Sequence, residues 1–410
     1  MHSCPLFLLF GPVFDVRRET CFEPVLLGHL REDAPTACQT LFATTCTAKH
    51  TSSLTLCWGC GPVTMILAAV LAALYLVIHN NVQLYLPGSP TQGEGVTSLA
   101  HLIVDDESLL LCGTKKGSLR AFSRTENGVQ QHTEVNVTNG RYPILSMAID
   151  ETDRTIFCGG SDRFVTILPY AVTHPHDTSH HYSSIADKQR LGPHTGWVKD
   201  VLLAPSNILY SIGCNCIESW QKQSDQKWKQ GKRWVVDSDV VMGCTLSSDL
   251  LCLACQNDTL YAGGVDGRIH VFRNEEYSAM AAHNGRVNAV ITTTIRGIDY
   301  IMSASHDGWV YQWKTHPVDH TRLECVQTFQ SQERNTAIVS IRHDRNNDAE
   351  GLFVVGTSRG TILLLSDSLE LLQTFCLPEP VTIMAFLHVP DDKMVLVAHS
   401  LGLGAFHYNV

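Results

Sequence analysis

The chain has 410 residues, a formal net charge of −10 and a hydrophobic share of 44%. The apolar share suits a globular protein rather than a disordered one, and the acidic balance argues against a nucleic-acid-binding surface. Fifteen cysteines, an odd number, fit a fully paired disulfide framework poorly. Cys112, Cys158, Cys252, Cys255 and Cys376 sit inside apolar runs, as free buried thiols of a reducing, cytoplasmic compartment do.

Residues 1–81 form an N-terminal extension with six cysteines and no strand period. Met1–Phe14 is apolar but has no basic leader, which makes a poor signal peptide. From His50 to Gly93 there is no Asp, Glu, Lys or Arg, and Pro62–Ile78 is a run of seventeen almost wholly apolar residues. That length is the lower limit for a transmembrane helix, so 62–78 is a candidate single-pass anchor. Arg17, Arg18, Arg31 and Lys49 precede it, and the positive-inside rule would then leave the N-terminus cytosolic. The competing reading packs the segment on the rest of the protein and leaves the chain soluble. Cys57-Trp-Gly-Cys60 has redox-pair spacing without the βαβ context that a redox role needs.

From residue 82 a repeating unit takes over. Strand-like apolar runs, among them Leu109–Cys112, Thr155–Cys158, Ile208–Ser211, Tyr300–Ser303, Leu352–Val355 and Met394–Val397, each precede a turn. The turns centre on Gly117, Asp162-Arg163, Asn215, Gly267, Gly308, Gly360 and Gly402. Counting from 117, 163, 215, 267, 308, 360 and 402, the steps are 46, 52, 52, 41, 52 and 42. Glycine suits such a position because a tight hairpin turn needs a backbone with positive φ. Longer connections are expected at 171–193 and 222–239.

The fullest copy of the unit runs from His283-Asn-Gly-Arg286 to Ser303-Ala-Ser305-His306-Asp307-Gly308-Trp-Val-Tyr-Gln-Trp313. A His opens it, a Ser-x-Asp-Gly turn divides two β-rich runs, and a Trp follows the Asp by six residues. This stretch resembles a WD40 repeat, one blade of a β-propeller. The resemblance implies an all-β, seven-bladed WD40-like propeller over 82–410. Its blades would centre on 97–124, 144–170, 194–221, 240–273, 283–314, 335–367 and 381–410. Val82–Leu86 would be the closing strand that completes the last blade and removes an exposed sheet edge.

The resemblance also assigns roles. His283, Ser305, Asp307 and Trp313 would form a structural tetrad rather than a catalytic triad, and only this blade carries the full set. Phe122, Leu168, Phe272 and Leu365 stand at the Trp position elsewhere. The family's usual role is to dock partner proteins, within a multi-protein complex, on the face bearing the turns inside each blade and the loops between blades. Lys115, Trp197, Arg286 and His306 map to that face.

Other clusters carry weaker signals. Four imidazoles between His174 and His181 offer metal-ligand chemistry without a pattern to fix geometry. Lys222, Lys227, Lys229, Lys232 and Arg233 interleave with Trp228 and Trp234, the composition of a phosphate and base grip or of a charged hairpin plus an outer strand. Asn136-Val-Thr and Asn257-Asp-Thr are glycosylation acceptors only if the ring is lumenal. No nucleotide loop, nucleophile elbow or metalloprotease motif is present in the sequence, so the expectation is a non-enzymatic scaffold or adaptor without a cofactor.

Overall fold

A computed structural model of the chain describes residues 94–407, apart from 171–188 and shorter stretches at 105–106, 126–127, 226, 237–239, 242–243, 246–248, 317–318, 320, 346–347, 378–379 and 390–393. The candidate anchor 62–78, the Cys57–Cys60 pair, the closing strand 82–86 and the histidines 174–181 lie outside the described residues. Among the described residues no helix is long and apolar enough to cross a membrane.

The regular elements are antiparallel strands. Blade 1 holds β1 (Val96–Val104), β2 (Glu107–Thr114), β3 (Ser118–Thr125) and β4 (Gly128–Asn136). Blade 2 holds β5 (Ile144–Asp150), β6 (Thr155–Gly160), β7 (Val165–Pro169) and β8 (Gln189–Leu191). Blade 3 holds β9 (Val198–Leu203), β10 (Ile208–Gly213), β11 (Cys216–Lys222) and β12 (Trp228–Val235). A separate two-stranded ladder, β13 (Val240–Val241) with β14 (Cys244–Thr245), follows. Blade 4 holds β15 (Leu250–Gln256), β16 (Thr259–Gly264), β17 (Arg268–Arg273) and β18 (Glu276–Ala281). Blade 5 holds β19 (Val287–Ile295), β20 (Ile298–Ser305), β21 (Trp309–Thr315) and β22 (Leu323–Gln330). Blade 6 holds β23 (Asn335–Arg345), β24 (Asp348–Thr357), β25 (Thr361–Leu365) and β26 (Leu371–Cys376). Blade 7 holds β27 (Ile383–Val389), β28 (Met394–His399) and β29 (Gly402–His407).

The first strands of the blades make the ring. β1, β5, β9, β15, β19, β23 and β27 touch in that order, and β27 returns to β1. Seven apolar clusters fill the seven gaps between neighbouring sheets. Leu111, Ile144 and Ile156 join blades 1 and 2, for example, and Phe157, Val198 and Trp228 join blades 2 and 3. The ring closes through Val96, Cys112 and Phe122 against Leu396, Ala398 and Ala405. Full burial of each large side chain contributes roughly 1.5–3 kcal/mol.

Burial explains the sequence pattern. β6 and β16 lie between two neighbouring sheets and are buried at every residue, so they read as continuous apolar runs with small Gly and Ala. The outer strands β12 and β22 are half-exposed and alternate. That alternation replaces the long connection expected at 222–239 with the outer strand also expected there. Its charged residues face water from a strand, and β12 pairs with β11 from Cys216–Val235 to Lys222–Trp228. The predicted start of blade 4 at residue 240 is likewise corrected, because its sheet begins at Leu250.

Gly117, Gly267, Gly308 and Gly360 have φ of +82, +78, +88 and +86, as a tight turn requires. Blade 2 reaches the same region with Arg163 at φ 72. In blade 3 the left-handed residue is Cys214, at φ 55, and not the predicted Asn215. The two-residue link between β10 and β11 places the bend one position earlier. Asn215 instead donates through Nδ2 to the Val236 carbonyl at 2.8 Å. Gly402 opens β29 at φ +156.

Candidate docking face

Strand direction fixes what shares a face. Each blade is an antiparallel meander, so the loop entering its first strand and the turn between its second and third strands lie at the same end. His283–Arg286 enters β19, and His306–Gly308 joins β20 to β21. Blade 5 ties these two segments together with a buried network.

In that network His283 Nε2 lies 2.8 Å from Ser303 Oγ, and Trp313 Nε1 donates to the same oxygen at 2.9 Å. His283 Nδ1 faces Asp307 Oδ2 at 3.3 Å. A nitrogen facing a carboxylate carries the proton, so Nε2 accepts from the Ser303 hydroxyl, which in turn accepts from the indole. Asp307 also accepts from the backbone N–H groups of Asn284 and Trp309, both at 2.9 Å. The Asp307 carboxyl is held below its usual range, because these bonds and the histidine outweigh burial. Burial lowers the His283 pKa.

The predicted tetrad serine, Ser305, is therefore corrected to Ser303. Both sit on one face of β20, two residues apart, but only Ser303 lies deep enough in the strand to stand beside Trp313. Ser305 Oγ donates to the carbonyls of Arg286 at 3.0 Å and Gly285 at 3.1 Å and accepts from the Asp307 N–H at 3.2 Å. It closes the turn rather than linking the strands. Ser303 is fully buried, so its hydroxyl is not presented to a substrate.

Blade 3 contains a second network that the sequence analysis missed. His194 Nε2 lies 2.7 Å from Ser211 Oγ, and Trp220 Nε1 donates to that oxygen at 2.8 Å. His194 Nδ1 faces the Arg163 carbonyl of blade 2 at 3.2 Å, which takes the place of the aspartate. The same tautomer follows. Burial pushes the His194 pKa down to about 4. The signal was present as Gly-Pro-His194-Thr-Gly, a blade-opening His, followed by Ser211 and Trp220 at nearly the blade 5 spacing.

Asp200, on the inner strand β9, was also missed. Its Oδ1 accepts from Ser146 of blade 2 at 2.5 Å and from its neighbour Val201 N–H at 2.9 Å, while Oδ2 accepts from Leu253 N–H of blade 4 at 2.8 Å. One carboxylate thus ties three blades. Burial pushes its pKa up to about 6 against these bonds.

The predicted docking residues fall into different settings. Lys115 is exposed, but its Nζ donates to the Ser400 carbonyl at 3.0 Å, so it spans the junction of blades 1 and 7. Trp197 is 55% exposed, with Lys199 Nζ 4.5 Å above its ring. Arg286 is exposed, and His306, half-buried, donates its N–H to the Arg286 carbonyl at 3.0 Å. The His306 pKa is lowered by burial and by the charges of Arg286 and Arg334.

His306 and Asp307 form one wall of a groove of about 850 Å³. Gln330–Arg334, which enters blade 6, and the blade 6 turn residues Ser358 and Arg359 complete it. Sequence reasoning missed this second wall, although Ser331–Arg334 occupies the same place before blade 6 as His283–Arg286 does before blade 5.

The basic and aromatic run is used internally. Lys222 pairs with Asp153 at 2.8 Å, Lys232 with Glu275 at 2.7 Å, and Arg233 with Glu218 at 3.6 Å. Trp228 is buried and packs edge-on against Phe157, and Trp234 packs against Tyr210 and Phe272. Neither indole presents a free stacking platform.

By sequence, no protein-family profile and no curated protein matches the chain. Among solved structures it is similar to the WD40 β-propeller domain of Doa1, at 16% identity and a TM-score of 0.59, covering 80% of this chain and 97% of that one. With seven sheets closed in a ring and the blade 5 network in place, the chain has the fold of a divergent seven-bladed WD40 β-propeller.

Proposed function

We propose that the chain is a non-catalytic docking scaffold that binds partner proteins, as a member of a multi-protein complex, on the face carrying the blade-entry loops and the intra-blade turns. The observation that carries this reading is the exposed side chains gathered there. Trp197 is 55% exposed, and Arg286, Arg334 and Arg359 are exposed with no ion-pair partner among the described residues. Trp and Arg are the side chains most often found to dominate interface energy. A ring of packed sheets holds these loops in place before a partner arrives, which lowers the ordering cost of association. The serine–histidine pairs that suggest hydrolysis are buried and committed to indoles, which supports docking over catalysis.

A cytoplasmic setting accompanies this proposal. It is supported by eight free thiols among the described residues, including buried Cys112, Cys158, Cys216 and Cys252. The test is affinity purification of the full chain and of the combined Trp197→Ala, Arg286→Glu variant, with mass spectrometry of what co-purifies. Loss of the partners supports the reading, and retention of every partner overturns it.

A further inference from the structure

We infer that the groove between blades 5 and 6 binds an extended acidic segment of a partner protein, with Arg286, Arg334 and Arg359 receiving successive carboxylates. The inference rests on the docking reading above and gives the partner a chemistry.

The acidic and basic side chains at the groove differ in how far they are already engaged. Two carboxylates line the groove, and both are already engaged by the protein's own donors. Glu333 Oε2 accepts from Thr357 Oγ1 at 2.5 Å. Asp307 accepts from Asn284 N–H, Trp309 N–H and His283, and its side chain is only 12% exposed. The guanidinium groups are the opposite case. Arg334 and Arg359 line the groove and are exposed, and Arg286 is close enough that its charge acts on His306 in the wall. Among the described residues none of the three has an ion-pair partner. A guanidinium is a five-donor fork matched to carboxylate geometry, and it is the group expected where oxyanions are recognised. Several arginines elsewhere on the ring are committed: Arg190 pairs with Asp162, Arg233 with Glu218, and Arg296 with Asp367.

The arrangement favours an extended peptide over a single compact anion. The three arginines come from three different segments: the loop entering blade 5, the loop entering blade 6 and the turn inside blade 6. Between them lie neutral groups suited to a peptide backbone, namely the side chains of Gln330, Gln332, Ser331 and Ser358. The groove volume, about 850 Å³, accommodates several residues.

The experiment measures fluorescence anisotropy of a short fluorescein-labelled peptide of alternating Glu and Gly, titrated with the full chain. The counterpart with Gln in place of Glu is the control. The Glu peptide should bind, the Gln peptide should not, and affinity should fall steeply with added salt. Arg334→Glu and Arg359→Glu should each weaken binding about tenfold, and Arg359→Lys by a few-fold, because a point charge loses the fork geometry. All these side chains are exposed, so circular dichroism should be unchanged. Equal binding of the two peptides, no binding of either, or undiminished binding to the Arg334→Glu, Arg359→Glu double variant overturns the inference. Competition by millimolar inorganic phosphate against the Glu peptide, with a phosphoserine peptide bound far more tightly, would replace a carboxylate-rich partner with a phosphorylated one and overturn the assignment as stated. Partners lost from the Trp197→Ala, Arg286→Glu variant but kept by the Arg334→Glu, Arg359→Glu variant would leave the docking face standing while removing the groove's role.

Discussion

Replacing Ser303 with alanine should be far more damaging than replacing Ser305, although the two are two residues apart on one strand and both fully buried. The Ser303 hydroxyl serves two buried nitrogens, accepting from Trp313 Nε1 at 2.9 Å and donating to His283 Nε2 at 2.8 Å. Its removal orphans both. Each unpaired buried polar group costs about 1–3 kcal/mol, so the substitution should cost roughly 2–6 kcal/mol. The imidazole has no escape by changing tautomer, because Nδ1 must keep its proton for Asp307. Ser305→Ala loses bonds to backbone groups, and the Arg286 carbonyl keeps the His306 N–H at 3.0 Å. Its cost should be about 1 kcal/mol, chiefly for the Asp307 N–H. Urea unfolding followed by tryptophan fluorescence gives both values, and hydrogen exchange of the β19–β22 amides localises them. Trp313→Phe completes the test, since in the Ser303→Ala background it should cost about 1 kcal/mol less than in the wild type. Equal costs for the two serines, or strict additivity with Trp313→Phe, would refute the assignment of Ser303 as the hub.

Three further outcomes follow from the same geometry. Burial holds His194 at about 4 in the fold against 6.5 when free, so the unfolded chain takes up a proton that the folded one refuses. Stability from this site is therefore full above pH 6.5 and falls as the pH drops to about 4, by about 1.4 kcal/mol per pH unit; denaturant titrations at several pH values should show a shallower acid loss for His194→Gln, and identical slopes would count against it. Asp200 acts in the opposite sense over its own window, stabilising below 3.8 and losing that contribution as pH rises through about 6, but it is common to both proteins in that comparison and cancels. Asp200→Asn should cost about 1–3 kcal/mol at pH 7, because an amide N–H₂ replaces one of the oxygens that face the donors of Ser146, Val201 and Leu253; loss of exchange protection should appear in blades 2, 3 and 4 together, and an effect confined to blade 3 would contradict the tie. Gly308→Ala should cost about 1–3 kcal/mol, as φ is +88 and the new Cβ would meet the carbonyls of Ser331 and Glu333 at 3.0 Å; a neutral result in urea titration would show that the turn relaxes freely.

The repeat was legible because each blade must bury its second strand between two neighbours. That demand writes continuous apolar runs such as Thr155–Cys158 and Leu352–Val355 at a steady spacing, with a turn after each. The outer strands were harder to read. In β12 most residues face water, so Lys229, Lys232 and Arg233 make the segment readable both as a long charged connection and as a hairpin with an outer strand. Turn chemistry was partly legible: four glycines marked positive φ, whereas Arg163 and Cys214 adopt it without any residue-type signal. The tetrad serine was misplaced because Ser303 and Ser305 share a face, and only the indole bond separates them: Trp313, opposite Ile301, reaches diagonally to Ser303. Asp200 was invisible in the sequence, since its partners Ser146 and Leu253 come from two other blades, whereas the second wall of the groove was legible as the blade 6 counterpart of His283–Arg286.

These observations explain how the ring persists while its sequence signature fades. The polar network is complete in blade 5 and lacks its aspartate in blade 3, where a main-chain carbonyl substitutes. At the Trp position, Phe122 of blade 1, Leu168 of blade 2, Phe272 of blade 4 and Leu365 of blade 6 lie in the inter-blade clusters, as Trp220 and Trp313 do, but have no indole N–H to donate. Each such side chain keeps the apolar burial, worth roughly 1.5–3 kcal/mol. What it gives up is a directional hydrogen bond with a net value of about 1 kcal/mol. Seven apolar joints, one at every junction, therefore carry the ring, and the networks specify how loops and turns sit on the face above them. Five blades lack the residue pattern of the networks, yet their sheets pack in the same ring. The same reasoning locates the remaining constraint. Where a network is retained, in blades 3 and 5, it fixes the segments that carry Trp197, Arg286 and His306. Partner recognition should therefore be more sensitive to Ser211→Ala and Ser303→Ala than to a cavity of similar cost, such as Ile156→Ala, at the junction of blades 1 and 2.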